Sequence, residues 1–556
     1  MRRVLPAALL ACALLGVAAS ADGASDGSRE YVVLYEQGAS GRAAREAIKD
    51  AGGRIVDENR AIGVATVRTD DTSFVKDVAS SPAIVGATAN RFIGRAPNDA
   101  AKVRRDAIER PAFANTRGKG RRADGPAGGD PLSPKQWDMQ MMDATPTGSY
   151  RRQQGSKAVR VGIIDTGIDG SHPDIKPNFD RGLSRNFTVD DPTIDGACDT
   201  DPDHSCQDPA DVDEDGHGTH VASTIGSPLN GIGMAGVAPK VDLVNLRAGQ
   251  DSGFFFLGPV VNALTYAGDH GIDVVNMSFY IDPWLYNCRA NPADSPQEQR
   301  DQALIIEATQ RAIDYARRRG VTTIAAEGNG HTDLGKPTSD ATSPDYPVDP
   351  ATGEPANARP RTIDNSCLSM PTEADGVIGV TSVGPSKRKA YYSDYGIEQA
   401  DVSAPGGDAR DTAIASPENM ILAAYPKSVG LAEGRIDPTT GAPTTPAVVE
   451  QGGAYYQAIQ GTSMASPHAV GVAALIVAQY GKQDRRHGGL TMAPAQVERI
   501  LRGTAVDTAC PTPATFVYPA PVPASYTATC EGTADRNGFY GDGIVNALRA
   551  VTAGDR

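Results

Sequence analysis

From about residue 130 the chain alternates near-continuous apolar runs with amphipathic stretches. AVRVGIID (158–165) is the first run, and KVDLVNLRA (240–248), IDVVNMSF (272–279), VTTIAAEGN (321–329) and GVIGVTSV (376–383) repeat its character. Runs of this length without polar alternation suit strands covered on both faces, as in a parallel sheet. PVVNALTYAGDHG (259–271) and LIIEATQRAIDYARRRG (304–320) read as helices between them. The pattern predicts an α/β, doubly wound, mostly parallel sheet over residues 130–556, with its chemistry at the carboxyl ends of the strands.

Residues 30–95 follow another rhythm. YVVLYE (31–36), GVATVRT (63–69) and IVGATAN (84–90) read as strands, and GRAAREAIKDAG (41–52) and SFVKDVASS (73–81) as helices. That order suits a small α+β ferredoxin-like unit. Residues 96–129 lose all periodicity and fill with Arg, Lys, Gly and Pro, which predicts an exposed, cleavable linker. Three further stretches, 280–299, 331–367 and 407–456, are Gly/Pro/Asp-rich and read as long loops. The first 21 residues carry Arg2 and Arg3, an apolar stretch from Val4 to Ala19 and a small-residue ending at Ala21, the form of a secretion signal. An uncleaved membrane anchor is the other reading of that stretch.

Charge sharpens the division. Residues 1–129 hold 20 Lys and Arg against 15 Asp and Glu; the remainder holds 33 against 53, so net charges of +5 and −20 make up the overall −15. An acidic body argues against nucleic acid as a partner. The polypeptide has seven cysteines, one of them Cys12 in the apolar leader. The other six are Cys198, Cys206, Cys288, Cys367, Cys510 and Cys530, an even number that suits disulfides in an exported protein. Nearest neighbours would pair as 198–206, 288–367 and 510–530, one of 15 possible connectivities. None has the C-x-x-C spacing of a zinc cluster.

The candidate chemistry lies at strand and helix ends. Asp165 closes the first apolar run. DEDGHGTHVAS (213–223) puts His217 and His220 at the start of a small-residue helix, without the Glu of the zinc-binding H-E-x-x-H pattern. AAEGN (325–329) ends another strand at Asn329. GTSMASPH (461–468) precedes AVGVAALIVAQY, so Ser463 is expected at a helix N-terminus, with Pro467 tolerated in the first turn. There it is either an N-cap or a nucleophile. A nucleophilic serine needs a base, a carboxylate to orient that base, and an amide for the oxyanion. The chain supplies Asp165, His217, Asn329 and Ser463 for those parts.

With those motifs in order, and with VNMSF, DVSAPG (401–406) and GDGIVNALRAV (541–551), residues 130–556 resemble the subtilisin-like serine proteases. The resemblance implies a secreted endopeptidase that acts on polypeptides through an acyl-enzyme, with Asp165, His217 and Ser463 as triad and Asn329 at the oxyanion. It implies that His220 packs behind the site. Ser278, Phe279 and Tyr280 would offer a strand edge to substrate, and Ala326, Glu327 and Gly328 would line the neighbouring pocket. Residues 30–95 resemble the family's prodomain, an intramolecular chaperone and inhibitor released by self-cleavage. No cofactor is implied for the chemistry. A structural calcium ion is, with DVDEDG (211–216) as a possible acidic source and no assignable ligands. A monomer is expected. Tyr280 stands where the family usually has glycine, and Glu327 where it has a small residue; a Glu beside Asn329 either favours a basic residue at the cleavage site or points outward or pairs with an arginine. A catalytically silent binding relative and a membrane-tethered processing protease are the competing readings.

Overall fold

The structure is a computed structural model that describes residues 29–90, 108–111, 128–192, 195–198, 204–345, 358–412 and 414–555. The expected signal segment and most of the 96–129 linker lie outside the described residues. Residues 29–90 form β1 (Arg29–Tyr35), α1 (Gly41–Asp50), β2 (Arg54–Asn59), β3 (Val64–Thr69), α2 (Phe74–Val78) and β4 (Ile84–Ala89). The sheet is antiparallel in the order β2-β3-β1-β4, a ferredoxin-like arrangement. β1 is apolar at successive positions because both of its faces are covered. Tyr31, Val33 and Tyr35 pack with Ile48 and Phe74 of the unit's own helices, whereas Val32 and Leu34 face the rest of the protein. The sequence pattern misses β2, since RIVDEN lies at the sheet edge and is exposed or half-buried throughout.

The body is built on seven parallel strands: β5 (Arg160–Ile164), β6 (Arg185–Asn186), β7 (Asp242–Arg247), β8 (Val274–Met277), β9 (Thr322–Ala326), β10 (Ile378–Val383) and β11 (Val402–Pro405). Their order is β11-β10-β9-β8-β5-β7-β6, all pairs parallel. The chain therefore leaves β5 in one direction and returns past it in the other, creating the crevice at the carboxyl end of β5 where sites form in such sheets. Helices α3 (His217–Gly226) and α7 (Thr462–Tyr480) cover one face, while α4 (Leu257–Asp269) and α5 (Pro296–Arg318) cover the other. α5 begins within the stretch read as loop 280–299. Ser295 and Glu298 form a capping box there with Pro296 at the first helical position, so a polar sequence starts the helix before its apolar periodicity does.

The 407–456 region is also more ordered than its composition suggests. β12 (Ile421–Ala424), α6 (Lys427–Ala432) and β13 (Val448–Gln451) lie within it, and the antiparallel sheet β12-β14-β13 is completed by β14 (Ala454–Ile459). Its strands are too short and too interrupted by turns to produce a readable period. The six body cysteines pair as 198–206, 288–367 and 510–530. The second bond ties the 280–299 and 331–367 stretches around a small core of Tyr286, Leu334 and Ile363.

Candidate active site

Asp165 follows β5 at the crevice, fully buried, and its Oδ1 lies 2.7 Å from His217 Nδ1. The turn before α3 fixes the imidazole. Gly216 has φ 93°, a conformation costly for any side chain. Asp213 accepts from Gly216 N and Thr219 N, and Asp215 accepts from His217 N. Asp211 pairs with Arg181. Asp213 and Asp215 thus build this turn and Asp211 a neighbouring ion pair, and among the described residues no carboxylates of DVDEDG cluster closely enough to share a cation. One turn further on, His220 Nε2 lies 3.1 Å from both Ile421 O and Gln457 O. Burial pushes its pKa down to about 3, so it is a neutral strut between α3 and the β12–β14 pair.

Ser463 is the second residue of α7, two positions past the Gly461 cap, so it does not cap the helix. Pro467 lies inside α7, beyond the first turn where it was expected. Lacking an N–H, it cannot donate to the carbonyl four residues back, which is that of Ser463. The Ser278 hydroxyl takes this role, donating to Ser463 O at 3.0 Å and lying 2.8 Å from Ser466 Oγ. Thus Ser278, expected only as a substrate edge, also positions Ser463.

Asn329, three residues after β9, accepts from Thr462 N at 2.9 Å and Thr462 Oγ1 at 3.0 Å through Oδ1. Its Nδ2 is thereby aimed into the crevice beside Ser463. Gly328 has φ 121°, and its N donates to Thr462 Oγ1. A side chain at Gly328 would also run into the Asp394 carboxylate. The AAEGN and GTSM motifs are therefore bolted together through Thr462, which sequence reasoning passed over.

The crevice holds a segment of the chain itself. Glu109 is buried there, 1% exposed. Its Oε1 accepts from Ser463 Oγ at 2.8 Å and Asn329 Nδ2 at 3.3 Å, while Oε2 lies 3.6 Å from His217 Nε2. Gln460 secures the backbone on either side, donating its N to Glu109 O at 3.0 Å and its Nε2 to Ile108 O at 2.8 Å. One carboxylate oxygen thus collects a hydroxyl and an amide that converge from two separate motifs. Nothing in the basic, aperiodic linker singles out Glu109, and only the folded chain reveals it.

The remaining predicted residues are more scattered. Phe279 stacks on Phe255 with centroids 4.1 Å apart. Tyr280 donates to Asp345 Oδ2 at 2.6 Å, which ties its ring to a neighbouring loop. Ala326 O accepts from Thr372 Oγ1. Glu327 is buried with its carboxyl against Gly379 of β10, near Glu373, Asp394 and Asp401. Burial, reinforced by those acids, pushes its pKa well above the usual carboxylate range. Its carboxyl is thus buried beneath the crevice against β10, 1% exposed, and burial disfavours the negative charge expected to attract a basic substrate residue.

Among the described residues Asp190, Asp208 and Asp251 approach closely enough to share a cation. Arg247, itself buried, already lies among them, 2.9 Å from Asp190 and 3.1 Å from Asp251 and in contact with Asp208. This donor set fits a guanidinium and does not fit a divalent ion, so no role for calcium is derived from it.

The model of the Subtilase family matches residues 156–543. This chain belongs to the subtilase family. Subtilisin DY of Bacillus licheniformis is 28% identical over 360 residues, covering 64% of this chain and 86% of that protein. Thermitase of Thermoactinomyces vulgaris is 25% identical over 349 residues, covering 63% and 84%. Among solved structures, the epidermin leader peptide processing serine protease of Staphylococcus aureus superposes with a TM-score of 0.59 at 20% identity, over 95% of this chain and 99% of that one. Fervidolysin from Fervidobacterium pennivorans gives 0.57 at 19%, over 94% and 61%. These structural likenesses speak for the fold alone. As a subtilase the chain is a serine-type endopeptidase that acts on polypeptides and needs no cofactor for catalysis. No helix among the described residues is long and apolar enough to cross a membrane.

Proposed function

We propose that the chain is a secreted proenzyme whose Ser463 hydroxyl attacks the peptide carbonyl while His217 Nε2 takes its proton. Asp165 holds the imidazole through Nδ1 and stabilises the imidazolium. Asn329 Nδ2 and the Ser463 N–H, at the positive end of α7, receive the charge that develops on the carbonyl oxygen. His217 then protonates the leaving amine, and water, deprotonated by the same imidazole, releases the acyl group. The observation that carries this reading is the convergence of Ser463 Oγ and Asn329 Nδ2 on one carboxyl oxygen of Glu109, beside an Asp165–His217 pair 2.7 Å apart.

The same observation supports latency. The 30–95 unit is read as prodomain, residues 96–129 as the linker cut on maturation, and Glu109 as the group that fills the oxyanion position until then. Intact masses of secreted wild type and Ser463→Ala, made in a protease-deficient host, test the proposal. Wild type is expected to mature to a body beginning between 96 and 135, with the variant retaining its N-terminal part. Identical trimming of both, together with no labelling of wild type by a fluorophosphonate probe, would overturn it.

A further inference from the structure

The residue after Glu109 is held as specifically as Glu109 itself. The Arg110 side chain is 1% exposed, with Nη1 2.9 Å from Glu433 Oε1 and Nη2 3.4 Å from the Asp215 carbonyl. The receiving carboxylate is itself held in place. Glu433 Oε2 accepts from Tyr425 OH at 2.7 Å and from Arg435 Nε at 2.8 Å, which orients Oε1 toward the incoming guanidinium. Tyr425, Glu433 and Arg435 belong to the β12–β14 region, and the Tyr425 ring and Pro426 pack against Gly216, in the turn that carries His217. The pocket is thus built next to the proposed base.

We propose that Glu433, Tyr425 and the Asp215 carbonyl form a subsite for an arginine of the substrate, on the leaving-group side of the scissile bond. This rests on the peptidase reading above. Residues 108–111 lie where a peptide must lie to reach Ser463. Their carbonyls accept from Gln460, which follows β14 and precedes Ser463, whereas the acyl half of a substrate is expected on the Ser278–Tyr280 edge. Once this segment leaves, a partly buried carboxylate faces the cleft, and a carboxylate in such a place favours a cation that can hydrogen-bond to it. Two acceptors separated in space suit the fork of a guanidinium better than the single ammonium of lysine.

The test uses the full chain, secreted and matured, with peptides varied over the first three positions after the scissile bond among arginine, lysine, citrulline and glutamine. At one of those positions arginine is expected to exceed citrulline in kcat/KM by about tenfold, and lysine by several-fold. Glu433→Gln is expected to bring the arginine-to-citrulline ratio within about twofold of one, and Tyr425→Phe to lower it partway. A wild-type ratio near one at all three positions, in enzyme whose Ser463 still labels with a fluorophosphonate, overturns the subsite and leaves the peptidase reading standing. A ratio unchanged in both variants also overturns it. Absence of labelling overturns both proposals together.

Discussion

The N-terminal segment meets the catalytic body in two places of opposite character. Across α4 and α5 the contact is broad and largely apolar: Val32, Leu34, Ile62 and Val64 share a core with Leu257, Val261, Leu304 and Ile305. Polar groups fix its register. Asn90 accepts from Gly258 N at the start of α4, Asn59 donates to Asn262 and Thr265, and Arg311 donates to Tyr35 O. In the cleft the contact is a thread, residues 108–111, held by charge and hydrogen bonds. Apolar burial scales with area and is indifferent to chemistry, whereas a carboxylate among aligned donors acts at one point. The difference teaches that holding the N-terminal unit and filling the crevice fall to separate residues of different chemistry. A mutation should then be able to loosen one without the other.

The largest effect expected is at the point where the thread and the chemistry coincide. Asn329→Ala should lower kcat by 10²–10³, the scale of losing one side-chain oxyanion donor, with KM changed far less. Kinetics on the matured enzyme check it, and an equal loss carried in KM would break the assignment. Next, Glu109→Ala removes charge-assisted bonds worth about 1.5–3 kcal/mol and should speed the first autocleavage by tenfold or more. A maturation time course measures this; an unaltered rate would mean that the broad interface alone controls latency. Asn90→Ala acts on the other contact. Loss of the α4 cap should cost about 1 kcal/mol, weakening inhibition by the separately added 29–90 segment about fivefold without changing kcat. If the isolated segment does not fold, the same shift should appear as earlier release of the cut segment from the body on size exclusion.

The smallest effect separates both contacts from the stability of the body. Burial pushes Glu373 up to about 7 and Asp401 up to about 6, beside the buried Glu327, whose pKa is also raised. For acids raised on folding, the stabilisation is fully present below the ordinary carboxylate range and is lost as pH rises through about 6–7. Thermal melts of the matured body should fall by a few degrees from pH 4 to pH 7, and less so in Glu373→Gln. A fall of the same size in that variant would place the titrating group elsewhere.

Much of this was legible in the sequence where neighbours within a few residues decide the outcome. The apolar runs of β5, β7, β8, β9 and β10 appeared within three residues of their observed ends, because burial on both faces leaves no polar position to confuse the pattern. β2 and the β12–β14 sheet did not appear, the first because an edge strand needs few apolar residues and the second because its pieces are short. Pro467 was misplaced for a related reason. A proline inside a helix is tolerable only when something else satisfies the carbonyl it abandons, and here that is Ser278, 185 positions away.

The sequence by itself determined the sheet, the family and the residue types at its crevice: Asp165, His217, Asn329 and Ser463 occur once each in motifs with a readable local logic. Only the tertiary structure decided which carboxyl lies buried among other acids, what holds Asn329 and Ser463 in register, and which part of the chain fills the cleft. Glu327 and Asp165 are both buried acids after a strand, yet Asp165 meets an imidazole, whereas other acids surround Glu327. Glu109 reaches Ser463 across 354 positions. Local periodicity carries no information at that range; such a contact exists because two units that pack elsewhere bring the linker between them across the crevice.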